Sequence, residues 1–368
     1  MRKTVPWLLL GLVLPGLACA QGQAEVVAPD SASAPANPLT WFGYADAYWG
    51  YDIANRGQQR PFFVYAHNRN HEFALNNAIL GARYADAHVR GAVALHAGTY
   101  VEANYAAEPQ GLRHLYEAYA GFRPLPKTWL DLGIFQSHIG FESAVSKDNW
   151  TLTRSLMADN SPYYEAGARF SYEPTAKLTL VALVLNGWQN LRDNNRAKAL
   201  GTQVLWKPNS KLTLNSSTFF GNEQPQDSMR RRRVFHNAYA SYAATPRLAV
   251  AAVFDAGWQQ RATRGGDAWF TGAAFLRYRL HSNWSATARA EFYRAARGVI
   301  IRSAAPRPGE PTVNLTGASL NCDYAPHAAV LCRLEGRVLR SAQPLFENRN
   351  QQARNYYGNL TASLAVSF

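Results

Sequence analysis

The chain has 368 residues, 47% of them hydrophobic, 12% aromatic and only 17% charged, with 26 Gly, 19 Tyr, 10 Trp and three Cys. Soluble proteins carry about 25% charged residues, and the mean hydropathy of −0.28 is too low for a bundle of membrane helices. So much aromatic and aliphatic mass argues against a disordered chain, and so few Cys against a disulfide scaffold. The formal net charge is +13, and Arg supplies 31 of the 38 basic residues.

Met1-Arg2-Lys3 is a short positive start, Val5 to Leu17 an apolar run, and Ala18-Cys19-Ala20 a set of small residues before a cut. That pattern reads as a secretory signal over residues 1–20, with cleavage after Ala20. Cys19 raises a lipoprotein alternative, but no Leu stands three positions before it. Cleavage leaves +11, because Arg2 and Lys3 depart. Beyond residue 20 no apolar stretch reaches the 18 or more residues of a transmembrane helix. Residues 21–38, rich in Ala, Pro and Ser, read as a flexible periplasmic lead-in.

From Leu39 to Phe368 the repeating signal has period two. Ser285, Thr287, Arg289 and Glu291 alternate with Trp284, Ala286, Ala288, Ala290 and Phe292; Arg333, Glu335 and Arg337 alternate with Cys332, Leu334, Gly336 and Val338. Alternation puts one chemistry on each face of a sheet. Sixteen strands are predicted, at 39–52, 72–84, 88–100, 114–123, 128–136, 164–173, 177–188, 198–207, 211–221, 232–242, 247–257, 267–280, 283–294, 313–324, 329–340 and 356–368. Most run 10–13 residues, the length of membrane-spanning strands and about twice that of soluble ones. Short connections such as Ala85-Asp86-Ala87 and His281-Ser282 alternate with long ones at 53–71, 101–113, 137–163, 189–197, 222–231, 258–266, 295–312 and 341–355. An even strand number with segregated loop lengths predicts an all-β, antiparallel up-and-down transmembrane barrel in a bacterial outer membrane, both termini periplasmic. Aromatics near the short turns (Tyr84, Phe122, Tyr172, Trp206, Tyr242, Tyr278, Trp284, Tyr324) and near the long loops (Trp49, Tyr164, Trp188, Phe220, Phe254, Phe292) suit two interface belts. The terminal strand ends in Phe368, which resembles the signal read by the bacterial barrel assembly machinery.

With the apolar phase assigned to lipid, the inward set comprises Arg90, Glu117, Asp131, Glu165, Arg169, Lys211, Arg233, Arg247, Arg277, Arg279, Arg289, Glu291, Arg333, Glu335 and Arg337. The second and seventh strands alternate poorly and give no facing. A sixteen-stranded wall leaves a lumen too wide for side chains to fill, so water and small solutes are expected inside. Pairing across strands, as of Glu335 with a neighbouring Arg, is compatible with conduction. The Arg excess points to a preference for anions. Arg230 to Arg233 form a basic run that suits lipopolysaccharide phosphates or plain solvent, and the export signal argues against nucleic acid. The longest connection, 137–163, is the third long loop, which folds inward in sixteen-stranded general porins. Its Glu142, Lys147, Asp148, Arg154 and Asp159 are therefore candidates for a constriction.

The runs Trp41 to Tyr48, Gly98 to Tyr105, Tyr116 to Gly121, Gly133 to Phe135, Gly140 to Ser143 and Asn160 to Glu165 resemble the OmpL-like outer-membrane β-barrel porins, over residues 39–368. The resemblance implies a porin-like role and no catalytic residues.

No HExxH, paired CxxC, acidic calcium loop, G-x-S-x-G or P-loop occurs, so neither a metal nor another cofactor is expected. His138 with Ser137 or Asp159 offers the elements of a rim hydrolase. Cys322 and Cys332 share one phase across a periplasmic turn, so either a cross-strand disulfide or two small lipid-facing residues is expected. The reading is a passive diffusion porin of the outer membrane, in contact with its lipid and lipopolysaccharide and open to homotrimer formation. A barrel with a plugged lumen serving structure or interaction is its first rival.

Overall fold

The computed structural model describes residues 37–53, 57–301, 312–348, 350 and 352–368. The predicted signal, with Cys19, and nearly all of the predicted lead-in lie outside the described residues. Sixteen antiparallel strands close a single barrel. They are β1 (Leu39–Asp52), β2 (Phe73–Ala85), β3 (Val89–Ala97), β4 (Leu115–Phe122), β5 (Thr128–Gln136), β6 (Tyr164–Thr175), β7 (Leu178–Leu185) and β8 (Ala199–Asn209). Then follow β9 (Leu212–Asn222), β10 (Arg232–Ala243), β11 (Leu248–Gln260), β12 (Gly266–Arg279), β13 (Trp284–Ala296), β14 (Thr312–His327), β15 (Val330–Ser341) and β16 (Tyr356–Ser367). Each strand pairs with its sequence neighbours, and β1 pairs with β16 from Tyr44↔Ser367 to Asp52↔Asn359.

The seam runs to the last residue. Gly43 and Phe368 exchange backbone hydrogen bonds of 2.9 and 3.1 Å. The Phe368 ring lies so close over Gly43 that a Cβ there would fall 2.2 Å from it.

Several details depart from the sequence reading. The third strand was expected to reach residue 100, but it stops at Ala97 and a helix, α1 (Thr99–Asn104), follows. Gly98 makes the break: its φ is +135°, and a Cβ would meet the Asn76 carbonyl oxygen at 2.4 Å. The connection expected at 258–266 shrinks to 261–265, because β11 and β12 pair up to Gln260↔Gly266. The long connections are otherwise 53–72 (L1), 98–114 (L2), 137–163 (L3), 186–198 (L4), 223–231 (L5), 297–311 (L7) and 342–355 (L8), with 261–265 as L6. L8 carries a small hairpin, Phe346–Glu347 against Ala353–Arg354.

Cys322 and Cys332 provide a third. A bulge between Tyr324 and His327 sets the register so that Cys322 faces Leu334 and Cys332 faces Tyr324. The two are diagonal, about 7–8 Å apart for such neighbours, beyond disulfide reach. Both are free thiols, so the disulfide reading gives way to the lipid-facing one.

The outer wall is apolar, with Leu80, Val93, Leu132, Leu200, Leu276, Leu320 and Leu334 all exposed. Tyr84, Phe122, Tyr172, Trp206, Tyr242, Tyr278 and Trp284 are exposed at the short-turn end and Phe220, Phe254 and Phe292 at the long-loop end, where aromatic girdles belong. Tyr164 and Trp188 are corrections to the second belt. Tyr164 is 1% exposed and stacks on Tyr105 at 4.0 Å. Trp188 packs edge-on against Phe219 and Phe235 at 4.9 and 4.8 Å. Both face the interior.

Candidate functional site: the lumen and its third loop

L3 leaves β5 and returns to β6, but its middle crosses to the opposite wall. The backbone N–H groups of Leu152, Thr153 and Leu156 donate to Asn321 Oδ1 (3.0 Å), Glu335 Oε2 (2.5 Å) and Glu291 Oε2 (2.6 Å) on β14, β15 and β13. Arg333 on β15 donates to the carbonyls of Ser146 (2.6 Å) and Asn149 (3.0 Å). Nearer its origin, the loop accepts a bond from Ser217 of β9 at the His138 carbonyl, 2.8 Å.

Two kinds of force hold it. Its buried apolar side chains Phe141, Trp150 and Met157 join Leu205, Tyr239, Ala249, Ala251, Val253, Ala273 and Phe275, which project inward from β8 and β10 to β12. Each such burial is worth about 1.5–3 kcal/mol. The other force is a charge cluster centred on Arg289. Its guanidinium lies 3.0 Å from Glu335, 3.5 Å from Glu291 and 3.8 Å from Glu142 of L3. It also donates to Thr151 Oγ1 (2.9 Å) and the Thr153 carbonyl (2.6 Å). Arg337 pairs with Glu291 at 2.7 Å and Arg333 with Asp323 at 2.8 Å. Unpaired charges in such a dry place would cost several kcal/mol each, so pairing is obligatory.

The loop's own charges are organised likewise. Arg154 is sandwiched between the Tyr100 and Tyr163 rings, 4.1 Å from each centroid, and donates to the Ala144 carbonyl at 2.8 Å. Asp159 lies 3.9 Å from it. Burial pushes the Asp159 carboxyl up to about 7 despite Arg154. Burial also raises Glu142, which accepts from the Ser155 backbone and hydroxyl. Lys147 and Asp148 pair with each other at 3.1 Å, part-exposed.

The remaining wall candidates separate into two groups. At the short-turn end of β2 to β6, Arg90 and Arg169 share Asp131 at 2.7 and 2.9 Å, and Arg83 pairs with Glu117 at 2.9 Å. Arg83, Arg90, Glu117 and Arg169 line a cavity of about 460 Å³ with Tyr119, His138 and Gln203. Glu165 accepts from Ser137 (2.9 Å) and sits 2.8 Å from His138 Nδ1. Burial pushes the His138 imidazole down, but the neighbouring Glu165 carboxylate prevails and leaves the imidazole raised above its ordinary value. The other nitrogen, Nε2, is held at 2.9 Å by the Thr218 carbonyl. The Ser137 hydroxyl thus shares the Glu165 carboxylate with His138. Arg233 lies over the Trp188 ring at 5.2 Å.

The second group is Lys211, Arg247, Arg277 and Arg279, at the short-turn end of β9 to β12. Lys211 and Arg247 continue the inward phases of Thr213 and Ala249, and Arg277 and Arg279 that of Phe275. Arg277 has Asp323 at 3.6 Å. Among the described residues no carboxylate lies within 4 Å of Lys211, Arg247 or Arg279.

At the long-loop end the interior is apolar. Phe63 and Val64 of L1, Ile301 of L7 and Phe346 of L8 join inward Phe219, Phe235, Trp269, Leu315, Leu339 and Tyr357 in one cluster. Alternation could not have shown this, because these wall residues look like lipid-facing ones. Asp46, Asp52, Asp255 and Asp323 were also missed as lumen residues; all are buried. Asp46 meets His67 of L1 at 2.9 Å, and Asp52 accepts from Tyr357 at 2.5 Å.

The barrel resembles several solved outer-membrane proteins at identities that speak for fold alone. OmpT of Vibrio cholerae matches with a TM-score of 0.59 at 9% identity, over 90% of this chain and 97% of its own. The anion-selective porin from Comamonas acidovorans gives 0.59 at 8%, over 90% and 99%. The outer membrane channel DcaP of Acinetobacter baumannii gives 0.58 at 11%, over 93% and 99%. No curated protein matches the sequence. The profile of the family described as "Putative beta-barrel porin-2, OmpL-like" matches residues 38–368, and the chain belongs to that outer-membrane porin family.

Proposed function

We propose that the protein is a passive diffusion channel for small hydrophilic solutes or ions, with a preference for anions and L3 as its constriction. The signal over residues 1–20 would export it, the short turns and both termini would face the periplasm, and Phe368 would present the last strand to the assembly machinery. A homotrimer fits the fold.

One observation carries the anion preference: the wall charges are mostly compensated, whereas Lys211, Arg247 and Arg279 stand at one mouth with no carboxylate within 4 Å among the described residues. Uncompensated basic side chains at a pore mouth raise the local concentration of anions. Reversal potentials in a salt gradient across a planar bilayer test this. The wild type should favour chloride, and the combined Lys211→Gln, Arg247→Gln and Arg279→Gln variant should move toward zero selectivity. A cation-selective wild type, or an unmoved variant, would sink the assignment.

The apolar cluster at the long-loop end favours a second reading, a barrel whose interior is closed and which serves as a scaffold. Correctly folded protein that gives no conductance steps would replace the first reading with this one.

A further inference from the structure

The outer wall carries a recess with an apolar floor and a basic rim. It has a volume of about 560 Å³ and lies across β14, β15 and β16 at the long-loop end. Register places Ala318, Val338 and Gly358 side by side in one row, and Thr316, Arg340 and Tyr356 in the next row toward L8. Ile53 packs over the buried Gly358, where a Cβ would meet its Cδ1 at 2.8 Å, and leaves Ala318 and Val338 as the exposed floor. The floor is therefore apolar and partly exposed.

The rim is cationic. Arg340 occupies the lipid-facing phase of β15, in step with Leu334 and Val338, and is exposed. Arg354, from the L8 hairpin, is exposed beside it, bonded to Gln352 at 3.4 Å. Among the described residues no carboxylate lies within 4 Å of either. An arginine pointing from a wall toward lipid is costly at the bilayer centre and tolerable only near the headgroups. At the other end of the same three strands this phase reads Cys322, Tyr324, Cys332, Leu334, Leu364 and Val366, with no cation. The basic pair is confined to one leaflet.

We infer that this recess is a binding site for lipopolysaccharide, an acyl chain lying over Ala318 and Val338 and a glucosamine phosphate held between Arg340 and Arg354. Guanidinium groups bind phosphate by paired, charge-assisted hydrogen bonds, stronger than those of an ammonium. The assignment rests on the long-loop end facing outward, as proposed above, since only that leaflet offers this lipid.

Native mass spectrometry of the folded full chain with bisphosphorylated lipid A, and in parallel with phosphatidylglycerol, tests the site. Wild type should retain lipid A and not phosphatidylglycerol. Arg340→Glu with Arg354→Glu should weaken retention by about tenfold or more, the loss of roughly one charge-assisted contact. Val338→Trp, which fills the recess and keeps both charges, should do the same. Heat-modifiable mobility on gels verifies that each variant is folded. Equal retention by either variant, equal retention of phosphatidylglycerol, or a change of oligomeric mass in place of lipid loss would overturn the site. Orientation is scored separately by labelling Gln352→Cys on intact cells with an impermeant maleimide, and the channel reading by conductance of the same variants, which should be unchanged.

Discussion

Replacing Arg289 by Ala removes the cation that three carboxylates share. Glu335, Glu291 and Glu142 lie 3.0, 3.5 and 3.8 Å from it, and its side chain is fully buried. Breaking a buried pair by removing one partner costs about 3–5 kcal/mol. The variant leaves Arg337 to compensate Glu291 but, among the described residues, no cation within 4 Å of Glu335, so the cost should fall on the L3 tip near Thr153. Phe141, Trp150 and Met157 remain as apolar anchors, together worth more than the lost charge contacts at about 1.5–3 kcal/mol each. The tip should therefore loosen while the loop stays inside. At 1.4 kcal/mol per factor of ten, opening of the 151–156 segment should become about a hundredfold to several thousandfold more frequent. Hydrogen exchange reads this directly: the Leu152, Thr153 and Leu156 amides should exchange faster by that factor, with strand amides unchanged. Single-channel traces should show added current noise. Arg289→Lys, which keeps the charge but not the planar fork, should fall between. Exchange of those three amides within threefold of wild type, in a folded barrel, would refute the electrostatic account of loop docking.

Asp159 gives a pH dependence of opposite sign to the usual carboxylate. Its folded pKa of about 7 exceeds its ordinary value of 3.8, so the docked loop binds the extra proton. Its contribution is full below about pH 4 and lost as pH rises through 7; L3 amide exchange should quicken over that range, and Asp159→Asn should flatten the profile. Gly43→Val should hinder closure of the seam, because a Cβ falls 2.2 Å from the Phe368 ring. The folded, heat-modifiable fraction should drop, and Phe368→Ala in the same chain should restore part of it. Unreduced peptide mapping should return Cys322 and Cys332 as two free thiols; a linked peptide would contradict the register.

Strands were legible because lipid on one side and polar groups on the other impose period two. Arg289 and Glu291 on β13, and Arg333, Glu335 and Arg337 on β15, share the polar phase for that reason, and all five are buried. What failed was the assumption that inward means polar. Val181, Leu183 and Leu185 on β7 are buried against the inner apolar cluster, and Ala249, Ala251 and Val253 on β11 meet L3. Both faces of these strands are apolar, so alternation vanishes there. The partnership of Thr153 with Glu335 spans 182 residues, and nothing local in a single sequence marks it. Wall charges were identifiable, but their near-complete pairing was not, and it moved the case for anions from the whole wall to one mouth.

The crossing of L3 also orders events during assembly. Its anchors on β13, β14 and β15 lie 135 to 187 residues further along the chain, and the seam joins residues still further apart. Contacts of such long range form late, after the segments between them are fixed. A sheet still open between β1 and β16 has no fixed far wall, so Glu291, Glu335 and the loop amides stay hydrated until the circle is complete. Loop docking is then the last step of maturation, and a protease that cuts at residues 146–156 would distinguish a finished barrel from one still being built.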